Sequence, residues 1–222
     1  MTENLHQKIQ KIFQGDCFSG NLAICAENGA TFVACNAHAR RYFKKALLNY
    51  KSKSEEALHL FGQMFEIERT AKELQLKRDD VKLMREQESK PVLDDLKVWL
   101  DKEQLLALPK STFGKAVNYC LNNWDGLTAY VQDGDLTIDN NSAEREMKRV
   151  ATGRKAWLFF GSDNGGENAE VLLSIISTCK RHGVEPFAYL RDVIDRLVQN
   201  PDTDLETLLP HTWNQEQSAP KH

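Results

Sequence analysis

Strand-capable sequence is scarce in this chain, and that scarcity limits what it can fold into. Ile12 and Phe13 lead into Gly15 and Asp16, residues 30–35 read ATFVAC, and Leu136 to Ile138 make a third short apolar stretch. A lone strand pair is marginal, and most sheets have about four to six strands. Elsewhere the apolar residues recur at helical spacing. Ala57, Leu58, Phe61, Met64 and Phe65 form one such row, with Glu68 as its polar exception. Val92, Leu93, Leu96, Trp99 and Leu100 form a second, behind Pro91, which reads as a first-turn proline. Val117, Leu121, Trp124 and Leu127 form a third, ahead of the Asp133-Gly134 turn signal. Residues 20–28 read as a short helix, stopped at Asn28-Gly29. Residues 167–181 and 186–199 read as two further helices parted by a C-cap at Gly183, and Leu205, Leu208 and Leu209 offer docking points in a polar tail. The expected fold class is α/β and predominantly helical. Either helices carry the fold, or these strands are part of a larger sheet.

Composition narrows the function classes. With 222 residues, the chain is long enough to bury a core. Hydrophobic residues at 41% and charged residues at 27% argue against a wholly disordered chain. A net charge of -3 excludes a uniformly basic nucleic-acid coat but leaves room for a local basic patch. The five cysteines are scattered, odd in number and without a CxxC pair, which suits free thiols in a reducing cytoplasm. No apolar run is long enough for a membrane-spanning helix, so no membrane partner is expected.

The richest stretch is 137–161, TIDNNSAEREMKRVATGRKAWLFFG. Asn141-Ser142-Ala143-Glu144 reads as a helix N-cap followed by an acid at N3, the pattern of a capping box. A second reading of Glu144 stands beside it: a carboxylate held rigidly at a helix start is what a hard cation needs. Arg145, Lys148, Arg149, Arg154 and Lys155 follow within a few turns. They read either as a solvated, salt-bridged face or as contacts to a phosphate backbone. Trp157 to Phe160 read as core or as an apolar wedge behind that face, and the following GSDNGG lacks the lysine of a phosphate-binding loop.

Asp16, at the end of the first strand-like segment, reads as a turn residue when taken alone. Paired with a distant glutamate it fits another role, since two Mg²⁺ ions about 4 Å apart can run phosphoryl transfer between carboxylates. Asp135 and Asp139 lie near Glu144 in sequence, and the turn leaves the direction of both open. Cys35-Asn36-Ala37-His38-Ala39-Arg40-Arg41 follows the second strand. Cys35 reads as core, a Cys-His hydrolase pair lacks an oxyanion motif, and no second pair completes a zinc set. His38 reads as a buried bonded residue or as a phosphate contact, and Arg40 and Arg41 add basic charge.

These blocks resemble the transposases of the IS66 insertion-sequence family. The similarity is carried by IDNNSAEREMKRVATGRKAWLFFGSDNGG, by AEVLLSIISTCKRHGVEPFAYLRDVIDRL, by CNAHARRYF and by PKSTFGKAVNYCLNNWDGLTAYVQDGDLTIDNN, in order from about Phe13 to Leu209. The resemblance implies an RNase H-like, DDE-type nuclease that binds Mg²⁺ with two aspartates and a glutamate for DNA cleavage and strand transfer. In it Asp16, within GDCFSGN, takes the second aspartate's role and Glu144 the glutamate's, both as metal ligands. His38, Arg40, Arg41, Arg145, Lys148, Arg149, Arg154 and Lys155 take DNA-contacting or site-supporting roles.

The resemblance also implies an organisation. Residues 12–43 would be a partial RNase H-like core, 44–130 a large all-helical insertion, 131–200 the glutamate helix with C-terminal core helices, and 201–222 a polar tail. The first catalytic aspartate and its three strands have no counterpart before Asp16. The expectation is therefore a C-terminal fragment, catalytically incomplete alone, in the bacterial cytoplasm and on the nucleoid when bound to DNA. A homo-oligomer or a separate N-terminal transposase segment would be its protein partner. The alternative is a noncatalytic helical DNA-binding or protein-interaction module.

Overall fold

The computed structural model describes residues 12–157 and 161–213, with the side chains of Arg154, Ala156 and Trp157 outside that description. Two compact units divide the chain, residues 1–142 and 143–222.

The first unit opens with a β-α-β element. Strand β1 (Ile12–Gly15) pairs in parallel with β2 (Thr31–Ala34), in a register that sets Gln14 opposite Val33 and Gly15 opposite Ala34. Parallel neighbours need a crossover, and helix α1 (Ser19–Asn28) supplies it. Gly29 ends α1 with φ 61°, the left-handed conformation that glycine adopts without a steric cost. The ladder gains one more bond where the Cys35 amide donates to the Gly15 carbonyl at 3.0 Å. Among the described residues the sheet has these two strands. The third strand-capable stretch, Leu136 to Ile138, is not a strand but an irregular segment.

Helix α2 (Asn36–Ala46) leaves the C-terminal end of β2 and enters a helical block. This comprises α3 (Lys51–Glu73), α4 (Arg78–Met84), α5 (Lys90–Leu106), α6 (Thr112–Asn122) and α7 (Trp124–Thr128), with a 3-10 turn at Ala129–Gln132. Strand and block residues share one apolar cluster that includes Val33, Ala34, Phe43, Phe61, Met64, Leu96, Leu100, Phe113, Val117 and Tyr130. Phe43 is its hub, with ring centroids at 6.0 Å from Phe61, 5.9 Å from Trp99 and 6.1 Å from Phe113. Such aromatic pairs add about 0.5–1.5 kcal/mol each beyond their buried area. At Gly126 a Cβ would come within 3.1 Å of the Ala34 Cβ, so the glycine lets α7 lie close against β2.

Two sequence features find their roles here. Pro91 stands in the first turn of α5, as its place ahead of the apolar row implies, and in addition α4 runs into α5 through a π-helical turn at Arg85–Ser89. Proline has no N–H to donate and its ring crowds the preceding turn, and a wider turn just before it relieves both problems. Glu68 is the polar exception on its apolar row because it faces Arg85. That guanidinium is 3% exposed and spends all of its N–H groups internally. Two go to the Glu68 carboxylate, at 2.7 and 2.6 Å, and the others to the carbonyls of Tyr130 (2.9 Å), Asp133 (2.9 Å) and Leu136 (2.8 Å). Its plane also lies 5.1 Å from the Tyr130 ring centre. Arg85 thereby fastens the end of the helical block to the segment that follows it.

The second unit holds the rest of α8 (Asn141–Trp157), then α9 (Asp163–Arg181) and α10 (Pro186–Gln199). Gly183 has φ 68° after α9, as its C-cap role requires. Cys179, Val184 and Tyr189 form a small buried cluster with Ile175, Leu190, Val193 and Trp213 against it. Of the tail leucines only Leu208 is buried, and its carbonyl accepts a 2.5 Å bond from the Tyr189 hydroxyl. Among the described residues no helix is long and apolar enough to cross a membrane.

Candidate functional site

Asp16 stands at the C-terminal edge of the parallel strand pair, directly after Gly15. In open α/β sheets this edge is where ligands collect, because the strands end there and the chain turns away. Asp16 is half-buried, and the Asn21 side-chain amide holds it by donating to Oδ1 at 2.8 Å and to the Asp16 carbonyl at 3.3 Å. The first turn of α1 thus orients this carboxylate. Cys17 follows in a half-buried position, and burial pushes its thiol up from the ordinary range.

The same edge receives the segment that leads to Glu144. The Asn36 amide donates to the Ile138 carbonyl at 3.1 Å, and the Asn140 amide donates to the Cys35 sulfur at 3.2 Å. The Gln14 side chain brackets Thr137: its amide donates to the Thr137 carbonyl, and its oxygen accepts from the Thr137 hydroxyl at 3.1 Å. Asn36 is 1% exposed and also donates through its side chain to the Leu127 carbonyl at 3.0 Å, tying in the helical block.

Helix α8 opens at Asn141 with Glu144 in its first turn. Ahead of it Asp139 makes a side-chain turn, accepting from the Asn141 amide at 3.0 Å and from its side chain at 2.6 Å, so that both of its oxygens are engaged at the helix start. Asp135 also turns elsewhere, to Arg78 at 3.3 Å. Glu144 keeps the electrostatic advantage of a helix N-terminus. Asp16 belongs to the first unit and Glu144 to the second.

The basic residues divide by environment. Arg145, Lys148 and Lys155 are exposed on α8, and Arg41 is exposed on α2. Arg149 pairs with Glu146 one turn back at 2.9 Å. Arg40 is half-buried, with its guanidinium 5.6 Å from the Phe65 ring centre and its Nε buried without a hydrogen-bond acceptor. It packs through its stem and plane rather than projecting into solvent. His38 sits half-buried in the first turn of α2. The side chain of Arg154 lies outside the described residues, as do residues 158–160 of the apolar run.

Sequence reasoning passed over Glu146, which anchors the second unit's polar contacts. It accepts from the Ser177 hydroxyl on α9, pairs with Arg149 and lies 3.9 Å from Arg181. The Ser177 hydrogen bond first, then the charges of Arg149 and Arg181, hold its carboxyl below the usual range. It borders an open groove of about 650 Å³ whose lining includes Met147, Val150, Leu173, Ile176 and Arg181. The available signal was the Glu146–Arg149 spacing, a helical i,i+3 pair.

The Cys35 environment argues against thiol chemistry. Burial pushes its thiol up from the ordinary value, although the amides of Asn140, His38 and Ala37 oppose that rise. A nucleophilic cysteine needs the opposite shift.

The chain belongs to the IS66 transposase family. The model of that family matches residues 1–168, and the model of the IS66 C-terminal element matches residues 174–211. Among curated proteins of Sinorhizobium fredii (strain NBRC 101917 / NGR234), the uncharacterized protein y4hP is 34% identical over 94% of this chain and 40% of its own length. The uncharacterized protein y4jD is 37% identical over 82% of the chain and 36% of its own length. The uncharacterized protein y4qI is 31% identical over 82% of the chain. The chain therefore spans about two fifths or less of the length of the curated relatives it matches. No solved structure matches.

Proposed function

We propose that this chain contributes Asp16 and Glu144 to the metal-dependent catalytic centre of an IS66-type DDE transposase, acting on DNA by strand cleavage and transfer. The observation that carries the reading is Asp16 at the C-terminal edge of a parallel strand pair, in a chain that both IS66 models match. In this reading β1, α1 and β2 are part of an RNase H-like core, and the helical block is an insertion between β2 and the glutamate helix.

The donor set suits a hard divalent ion, since both proposed ligands are carboxylates. Mg²⁺ held by Asp16 and Glu144 would activate the attacking oxygen and stabilise the leaving one. The chain's own residues do the rest. Asn21 fixes the Asp16 carboxylate, and the N-terminus of α8 favours an ionised Glu144. Arg41, Arg145, Lys148 and Lys155 are exposed and suited to phosphate contact. Arg149 and Arg40 serve internal contacts first, and His38 is assigned with them as support for the site. Two carboxylates offset only half the charge of two divalent ions, so the 222-residue chain alone is expected to give no strand transfer.

Fe²⁺ substituted for Mg²⁺ tests the assignment directly. With ascorbate and peroxide, bound iron cuts the polypeptide beside its ligands. Cuts next to Asp16 and Glu144, suppressed by excess Mg²⁺ and by Asp16→Asn or Glu144→Gln, are expected. Cuts elsewhere, or cuts indifferent to both substitutions, would reject it. Mg²⁺-dependent DNA cleavage by this chain alone, abolished by Glu144→Gln, would reject the claim of incompleteness.

A further inference from the structure

We infer that Gln14 is a positioning residue for Glu144: its side chain sets where the segment 137–140 meets the strand edge, and so where α8 begins. The inference rests on the metal-site reading above and adds to it a residue outside the carboxylate set.

The segment 137–140 borders the strand edge without forming a strand, so no continuous ladder fixes its register. Three separate fasteners do so instead. Ile138 is 5% exposed, and its carbonyl takes the Asn36 amide. The Cys35 sulfur takes the Asn140 amide. Between strand and segment, among the described residues only Gln14 acts through both a donor and an acceptor on one residue, bracketing the carbonyl and hydroxyl of Thr137. A primary amide is the side chain that copies a strand's paired N–H and C=O. Gln14 therefore does with its side chain what a neighbouring strand would do with its backbone.

From Thr137 the contacts continue towards the helix. The Thr137 hydroxyl divides its single proton between the Gln14 oxygen and the Asp139 carbonyl, which is 2.6 Å away, and the Asp139 carboxylate holds Asn141, the first residue of α8. A bonded path thus leads from β1, two residues before Asp16, to the helix that carries Glu144. Side chains alternate along an extended segment, so a slip of one residue would turn Thr137 inward and Ile138 out. Burial of Ile138 opposes the slip, and the Gln14–Thr137 pair opposes it from the exposed side.

The test uses the full chain with Gln14→Leu and Thr137→Val, and Thr137→Ser as the conservative rescue. Fe²⁺-directed cutting beside Glu144 is compared with cutting beside Asp16 in each protein. Amide hydrogen exchange over residues 137–142 is measured on the same samples. Gln14→Leu and Thr137→Val should lower the cut at Glu144 roughly threefold to tenfold relative to the cut at Asp16, the range for losing one hydrogen bond. Exchange at the start of α8 should rise by a similar factor, and Thr137→Ser should restore both. A general loss of stability would lower the two cuts together and would overturn the positioning role. Cuts unchanged in both variants would overturn it too. If the unsubstituted chain gives no cut at either residue, the metal reading itself fails, a result distinct from unchanged cuts in the variants.

Discussion

Replacing Arg85 should cost the first unit more than any other single polar change. The guanidinium is 3% exposed, its Glu68 partner's side chain is 16% exposed, and the bonds reach one carboxylate and three carbonyls. Removing one partner of such a pair leaves the other charge buried and costs about 3–5 kcal/mol. Arg85→Met keeps most of the packing volume, so its loss reports the polar network. Arg85→Ala adds a cavity and should be worse. Glu68→Leu combined with Arg85→Met relieves the stranded carboxylate but leaves three carbonyls without a donor. The double variant should therefore regain only part of the loss, because unsatisfied buried acceptors cost about 1–3 kcal/mol each. Urea denaturation followed by far-UV circular dichroism gives the free energies, and hydrogen exchange over residues 127–140 places them. Arg85→Met within about 0.5 kcal/mol of the unsubstituted protein, the ordinary range for a surface change, with unchanged protection at 127–140, would refute the reasoning.

Other substitutions probe separate parts of the structure. At Gly134 a Cβ would fall 1.9 Å from the Arg78 carbonyl oxygen, so Gly134→Ala must displace backbone. It should cost about 1–3 kcal/mol, read by urea denaturation. The depressed Glu146 carboxyl stabilises the second unit fully above its ordinary value of 4.5, and that contribution fades as the pH falls through the lower folded value. Glu146→Gln should flatten this acid limb in thermal melts between about pH 5 and 2, while a limb unchanged by the substitution would contradict the assignment. In DNA titrations at several salt concentrations, Lys148→Ala should reduce the slope of log affinity against log salt by roughly 1, if Lys148 neutralises one phosphate. Arg149→Ala should change the slope less, because Glu146 already compensates that charge.

Much of the fold was legible from spacing alone. Helices α1, α9 and α10, the strand ATFVAC and the Gly183 cap follow from local rules that tertiary contacts leave intact. The misread positions are those where a distant partner decides. Leu136 to Ile138 has strand composition but lies irregular, held by Gln14, Asn36 and Arg85 rather than by a ladder. The residues fastening it are 14, 36 and 85, too distant in sequence for any window to connect them. The candidate carboxylates were visible as residue types. That Glu146 also takes the Ser177 hydroxyl and lies beside Arg181 depends on geometry that no spacing encodes.

The position of Glu68 and Arg85 bears on how a long helical block can sit between β2 and the start of α8. Between Cys35 at the end of β2 and Asn140 before α8 lie more than a hundred residues, and each freely moving joint among them would blur where α8 starts. The block limits that blur by sharing its core with β2 and α2 and by returning to them at fixed points. Leu127 is held by Asn36, and the carbonyls of Tyr130, Asp133 and Leu136 are held by Arg85. A buried cation suits this task better than an apolar side chain would, because it demands several acceptors in one geometry and penalises every arrangement that leaves one out. The two roles separate by experiment. If Arg85 acts as a register device rather than a source of stability, Arg85→Met should broaden exchange at 137–142 even in a background whose overall stability has been restored by a distant substitution. Recovery of protection together with stability would assign Arg85 to stability alone.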